Sequence, residues 1–298
     1  MLQRIARQRH GILSAWSDPL KTVTLGYSPC PNDTFIFYAL VHGRIDTGGL
    51  FFHEVLDDVE TLNQMARQTR LDVTKVSFHA FARLREAYCL LRSGGALGRG
   101  CGPLVVARDP YDMKDLRGRT IAIPGELTTA FLLLQVFDPV LKEHVRIMPF
   151  HRIIDAVKHG EADAGLIIHE SRFTYQREGL RQVADLGAWW EQETRLPIPL
   201  GCIIARRSLG KVLVQKVEAL IQESVAYAFS NRRETKDYVR SHSQELEDSV
   251  IDQHIQLYVN DYSRNLGEDG VSAVQELFRR AAALGIVPPS SQRLFLGS

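Results

Sequence analysis

The runs GPLVVARDP (102–110) and LGCIIARRS (200–208) decide the fold. Each is short, apolar and rich in β-branched residues, and each carries an Ala-Arg pair near its end. Two such look-alike strands bracketing one continuous stretch of chain read as paired crossings between two lobes. Outward from them the pattern alternates. Before the first, TVTLGYS (22–28) is an apolar strand, PCPND a proline-rich turn, and TFIFYALVHG a helix closed by Gly43. A strand near Leu50–Val55 follows, then the helix DVETLNQMARQTR with its acidic first turn, the strand LDVTKVS and the helix FHAFARLREAY. Strand–helix alternation predicts an α/β fold with mixed, mostly parallel sheets and helices on both faces.

Between the two crossings the alternation starts again, with TIAIPG, TTAFLLLQVF, HVRIMPF, HRIIDAVKHG and ADAGLIIHE. After the second crossing the chain is almost wholly helical from Val212 to Leu284, ending at Gly285 and Pro288-Pro289. The helical block packs back on the first lobe, so lobe 1 is expected from residues 21–108 plus 205–298 and lobe 2 from 109–204. Residues 1–20 are basic, lack an unbroken apolar segment, and are read as an N-terminal extension outside the fold, with an Arg-rich transit-like segment as the alternative. Two lobes joined by two hinge strands form a clamp around a ligand.

A length of 298 residues fits two lobes, and 45% hydrophobic with 24% charged residues is ordinary globular composition. A net charge of +1 provides no basic footprint for nucleic acid. No apolar run approaches the roughly 18 residues that span a bilayer, and a cytoplasmic location is expected. Cys30, Cys89, Cys101 and Cys202 are scattered without CxxC spacing, the pattern of reduced thiols. No HExxH, Ser-His-Asp elbow, GxGxxG or P-loop is present, so neither metal nor cofactor is expected. The loop Gly94–Gly100 precedes a strand and reads as a flexible approach to the hinge.

Open α/β sheets bind ligands beyond the carboxyl ends of their strands, where helix N-termini offer free N–H groups to anions. Three turns stand there: Ser28 to Thr34 with Asn32 and Asp33, the strand end Lys75-Val76-Ser77, and Gly125 to Thr129 with the hydroxyls of Thr128 and Thr129. Judged singly, each serves equally well as a plain helix cap, and Lys75 as a solvated cation. Trp189 and Trp190 could wall a flat ligand, with at least one of them core. His169 ends ADAGLIIHE, and an imidazole there can serve as a general base near neutral pH; by position alone a hydrogen-bonded surface histidine is the commoner case. Glu170 is a weak candidate to orient its ring.

SPCPNDTFIFYALVHGRID, LDDVETLN, LRSGGALGRGCGPLVVAR, GLIIHESRFTY and LGAWWEQETRLPIPLG, in this order, resemble the 1,4-dihydroxy-6-naphthoate synthase family of the futalosine route to menaquinone. The resemblance implies a periplasmic-binding-protein-like (type II) fold and a cytoplasmic lyase acting on a small carboxylate, cyclic de-hypoxanthine futalosine, without cofactor. It implies His169 as proton acceptor, with Lys75, Val76, Ser77, Thr128 and Thr129 as substrate-binding positions. His169 should then face Ser77 and Thr128-Thr129 across the inter-lobe cleft. Glu126 departs from the polar or basic lead-in expected there. Two rivals are the sibling chorismate dehydratase of the same pathway and a non-catalytic solute-binding protein; the oligomeric state stays open.

Overall fold

The structure, a computed structural model, describes residues 21–244 and 247–296; the expected extension at 1–20 lies outside them. Lobe 1 opens with β1 (Lys21–Tyr27), α1 (Pro31–Val41), β2 (Leu50–Leu56), α2 (Val59–Arg67), β3 (Val73–Ser77), α3 (Phe78–Leu84), β4 (Tyr88–Leu90) and β5 (Ala96–Gly98). Lobe 2 holds β6 (Leu104–Ala107), β7 (Ile121–Ile123), α4 (Thr129–Phe137), β8 (Val145–Ile147), α5 (Ile153–Lys158), β9 (Ala164–Ile167), α6 (Ser171–Thr174) and β10 (Arg181–Asp185). Helix α7 (Leu186–Thr194) leads back to β11 (Ile198–Arg206), followed by α8 (Lys211–Ser230), α9 (Arg232–His242), α10 (Asp248–Tyr258), α11 (Asp261–Arg264) and α12 (Gly267–Ala283).

The first sheet runs β2-β1-β3-β11-β4, with β5 also on β11, and the second β10-β6-β9-β7-β8. Pairing is parallel wherever strands alternate with helices, as in β1 with β2 and β3, and β7 with β8 and β9. It becomes antiparallel around β11, β6 and β10. The sheets are therefore mixed rather than mostly parallel, because the returning strands insert against the direction of the βα units.

Each look-alike strand belongs to one sheet, β6 to the second and β11 to the first. The expected limits at 108/109 and 204/205 therefore fall too late. The chain crosses before Leu104 and returns between Asp185 and Ile198, since backbone pairing and not apolar composition assigns a strand to its sheet. The glycine loop also differs from expectation. Its middle forms β5 against β11, and Ala96 to Gly98 are buried.

The two crossings touch. A Cβ on Gly102 would lie 2.3 Å from Gly187 Cα, so only glycine fits the contact. Leu186 N donates to Pro103 O at 3.0 Å, and Arg172 bonds both Gly102 O and the Asp185 carboxylate, which caps α7. One apolar cluster continues through this region from Phe78 and Phe81 of α3 to Phe131 and Leu134 of α4, Trp190 of α7 and Phe278 of α12. At about 25 cal/mol per Å² of apolar surface, such a shared layer holds the lobes together.

Candidate active site

A cavity lies between the sheets, over the crossing segments Cys101 to Pro103 and the β11 residues Leu200 and Gly201. Ser28, Asn32, Asp33, Lys75, Ser77, Thr128, Thr129 and His169 all line it. Val76 does not, because successive strand residues point to opposite faces; its side chain joins the core.

The first turn is organised by charge. Lys75 Nζ donates to Asp33 Oδ1 at 2.6 Å with both side chains buried, so the lysine is an ion-pair partner and not a solvated cation. Asn32 Nδ2 donates to the same oxygen at 2.8 Å, and Ser28 Oγ to Asp33 Oδ2 at 2.7 Å. Lys75 has room because Gly201 lacks a side chain; a Cβ there would meet Lys75 Cε at 2.9 Å. Behind this turn, His254 of α10 donates from Nε2 to Asn32 Oδ1 at 2.9 Å, and burial holds it neutral, well below the ordinary histidine range.

Ser77 ends β3 and precedes α3. Its N–H donates to Asn63 Oδ1 at 2.9 Å and its Oγ accepts from Asn63 Nδ2, while its hydroxyl proton has no acceptor among the described residues. Opposite, Thr128 caps α4: its hydroxyl donates to Gly125 O at 2.9 Å and accepts from Phe131 N. Thr129 Oγ1 donates to Leu200 O at 2.5 Å. The amides of Thr129 and Ala130 stand in the first turn of α4, where no helix carbonyl can reach them. Two amides and the Ser77 hydroxyl thus present donors toward the cavity, the arrangement that receives a carboxylate or carbonyl oxygen.

His169 follows β9 with φ +57°, a left-handed conformation uncommon outside glycine. Strain of this kind concentrates where a side chain must be aimed. Here it turns the ring onto Cys30, whose Sγ lies 3.6 Å from Nδ1, and against Phe150 at 4.9 Å between centroids. Burial pulls the imidazole below its usual range, opposed by the Glu170 and Asp33 charges. The Cys30 thiol is pushed up by burial and stays protonated. A neutral imidazole is the form that accepts a proton. Glu170 does not orient this ring; its Oε2 stands 3.9 Å from His254 Nδ1.

The tryptophans form no ligand wall. Trp190 is core, donating from Nε1 to Pro197 O, and Trp189 packs edge-on against Phe137. The aromatic groups at the cavities are Tyr258 and Phe150 instead. No group of three or more His, Cys, Asp or Glu that could hold a metal occurs among the described residues, and no described helix is long and apolar enough to cross a membrane.

Residues 23–283 match a family described as menaquinone biosynthesis. The chain belongs to this family. It is 52% identical over 281 residues to 1,4-dihydroxy-6-naphthoate synthase of Thermus thermophilus, covering 93% of this chain and all of the relative. The enzyme of the same name from Streptomyces coelicolor is 48% identical over 271 residues, with 90% and 95% covered. A solved Archaeoglobus fulgidus protein superposes at TM-score 0.84 with 38% identity, over 89% of this chain and 98% of that one. The periplasmic aliphatic sulphonate binding protein of Escherichia coli reaches TM-score 0.63 at 13% identity, over 90% and 89%. That last likeness concerns fold alone, and it gives the family a periplasmic-binding-protein architecture.

Within the family's cleft, sequence reasoning missed what closes it. Glu60 of α2 accepts from Leu127 N at 3.2 Å, and Asn63 reaches Leu127 O at 3.4 Å, both across the lobes. Partial burial raises the Glu60 carboxyl above its usual range. The one sequence signal was LDDVETLN itself, quoted as a motif but without a partner for its Glu and Asn.

Proposed function

We propose that the chain is a cytoplasmic lyase that converts cyclic de-hypoxanthine futalosine to 1,4-dihydroxy-6-naphthoate, with His169 as its general base. The observation that supports this reading is the left-handed backbone of His169, with a half-buried imidazole, its pKa lowered by burial, on the wall of a cavity that the Ser77 hydroxyl and the first turn of α4 also line. The substrate carboxylate is held by those donors, and Lys75 keeps Asp33 neutralised beneath it. His169 takes a proton from the substrate. The electron pair of the breaking carbon–carbon bond passes into the ring system that becomes aromatic, and the proton returns to the products. No net oxidation occurs, and aromatisation drives the fragmentation. Enclosure between two lobes fixes the reacting geometry and strengthens the electrostatics.

The test is turnover of cyclic de-hypoxanthine futalosine by the purified protein. His169→Ala should lower kcat by about 10² to 10⁴-fold, the range for a lost general base, with its circular dichroism unchanged. Activity should fall on the acid side through a pKa below the ordinary histidine range, because the base must be neutral. Full activity in His169→Ala would remove the proposed role, and tight binding of the substrate without turnover would return the chain to a solute-binding reading.

A further inference from the structure

Glu170 Oε2 and His254 Nδ1 are both buried, and neither has a hydrogen-bond partner among the described residues. They face each other at 3.9 Å. Buried polar atoms are nearly always bonded, so two unbonded ones side by side call for a common cause.

The cause is a chain of hydrogen bonds whose direction is fixed at its far end. Asp33 is ion-paired with Lys75 and can only accept, so Asn32 turns its amide nitrogen toward it, at 2.8 Å, and its carbonyl oxygen toward α10. That oxygen also only accepts, so the proton of His254 sits on Nε2, 2.9 Å away. A neutral imidazole carries a single N–H, and burial keeps His254 neutral. Nδ1 therefore aims a lone pair at the Glu170 carboxylate. The 3.9 Å gap is too long for a hydrogen bond and is the spacing of two acceptors with no proton between them. The tautomer of His254 thus denies Glu170 a donor and leaves its charge uncommitted.

Beside this carboxylate lies the His169 ring, parallel to His254 within 4° and 6.1 Å from it between centroids. The titratable and charged groups that bear on His169 are Cys30, Asp33, Asp58, Lys75, Glu170 and His254. Burial lowers the imidazole; Glu170 opposes it most strongly, then Asp33, while Lys75 reinforces it and Asp58 opposes it least. Asp33 is already engaged by Lys75, and Asp58 by capping α2. Glu170 lies outside the lining of the cavity between the sheets, so it can act only through His169. We propose that Glu170 is the countercharge for the imidazolium that His169 becomes on taking the substrate proton, and that His254 keeps this carboxylate uncommitted for that role. The inference rests on the base role of His169 proposed above.

The experiment follows the His169 ring itself. In protein carrying isotope-labelled histidine, its imidazole resonances are those missing from His169→Gln. Their titration is compared in wild type, Glu170→Gln and Glu170→Asp, together with the pH profile of kcat. A carboxylate favours the protonated ring, so in Glu170→Gln the titration and the acid limb of kcat should both move down by about one pH unit. The weaker base should lower the plateau kcat about threefold and leave KM within about twofold. Glu170→Asp keeps the charge and should titrate within about 0.3 pH unit of wild type. The new amide in Glu170→Gln can donate to His254 Nδ1, so its urea midpoint should be no lower than that of wild type, whereas a merely structural carboxylate would lose stability on replacement. If His169→Ala is inactive and the ring titrates alike in wild type and Glu170→Gln, or if Glu170→Gln lowers the midpoint with kcat and its acid limb unmoved, the countercharge is overturned while the base reading stands. If His169→Ala keeps full activity, the base reading fails first and takes the countercharge with it.

Discussion

Replacing Lys75 by Met deletes the ammonium and keeps most of the side-chain volume. Asp33, 2% exposed, then remains as a buried carboxylate with its ion-pair partner gone. Removing one member of a buried pair costs about 3 to 5 kcal/mol. Asp33 keeps the Ser28 hydroxyl, the Ser28 amide and the Asn32 amide as donors, which sets the loss near the lower end, about 3 kcal/mol. For a chain of 298 residues this corresponds to a fall in Tm of about 5 °C. Urea unfolding followed by circular dichroism should show the midpoint moving with m unchanged. In the double variant Lys75→Met with Asp33→Asn, the neutral amide needs no countercharge. The two losses should fall short of adding by about 2 kcal/mol. A loss under about 1 kcal/mol for Lys75→Met, or additivity within about 0.5 kcal/mol, would refute the pair as the element that holds this turn.

Two further outcomes follow from buried groups near the cleft. Burial, and behind it the Arg83 guanidinium, pushes His79 down to about 4. The unfolded chain therefore takes up this proton below about pH 6.5, while the folded chain resists until about pH 4, so stability present at neutral pH is lost as pH falls between them. His79→Gln should lose about 2 kcal/mol less than wild type between pH 7 and 5 in urea titrations; equal losses would show that His79 titrates normally. Gly102→Ala puts a methyl 2.3 Å from Gly187 Cα, a clash of backbone with backbone that no rotamer relieves. It should cost about 1 to 3 kcal/mol and enlarge the radius of gyration in solution scattering, and a wild-type value for both would contradict the close crossing.

The lobes and most of the cleft were legible because the information is local. A strand such as β3, followed by a helix, places its last residues at the sheet's carboxyl edge wherever it occurs, so Ser77, Thr128 and His169 could be named as candidates from strand ends and helix starts, while only the family resemblance set them above plain caps and a surface histidine. The same rule could not settle Lys75, since its burial depends on Asp33, 42 positions away. Strand assignment failed for a similar reason. β6 and β11 have nearly the same composition, and only their pairing partners put them in different sheets.

His254, Glu60 and Tyr258 were invisible for a deeper reason: each acquires meaning only from a residue on another element. His254 bonds Asn32 over a separation of 222 residues, and an isolated histidine in DSVIDQHIQLY has no pattern to mark it. Glu60 looks like an acidic residue in a first helical turn, favourable to the helix dipole. In the fold it faces the Leu127 amide across the cleft and joins Asn63 and Thr129 in bridging the lobes. Three neutral or charge-assisted hydrogen bonds of about 1 kcal/mol each amount to only about 3 kcal/mol, a scale that substrate contacts can match or exceed. The contacts at the cavity mouth are thus weak enough to open, while the Gly102–Gly187 crossing and the shared apolar layer keep the lobes in register.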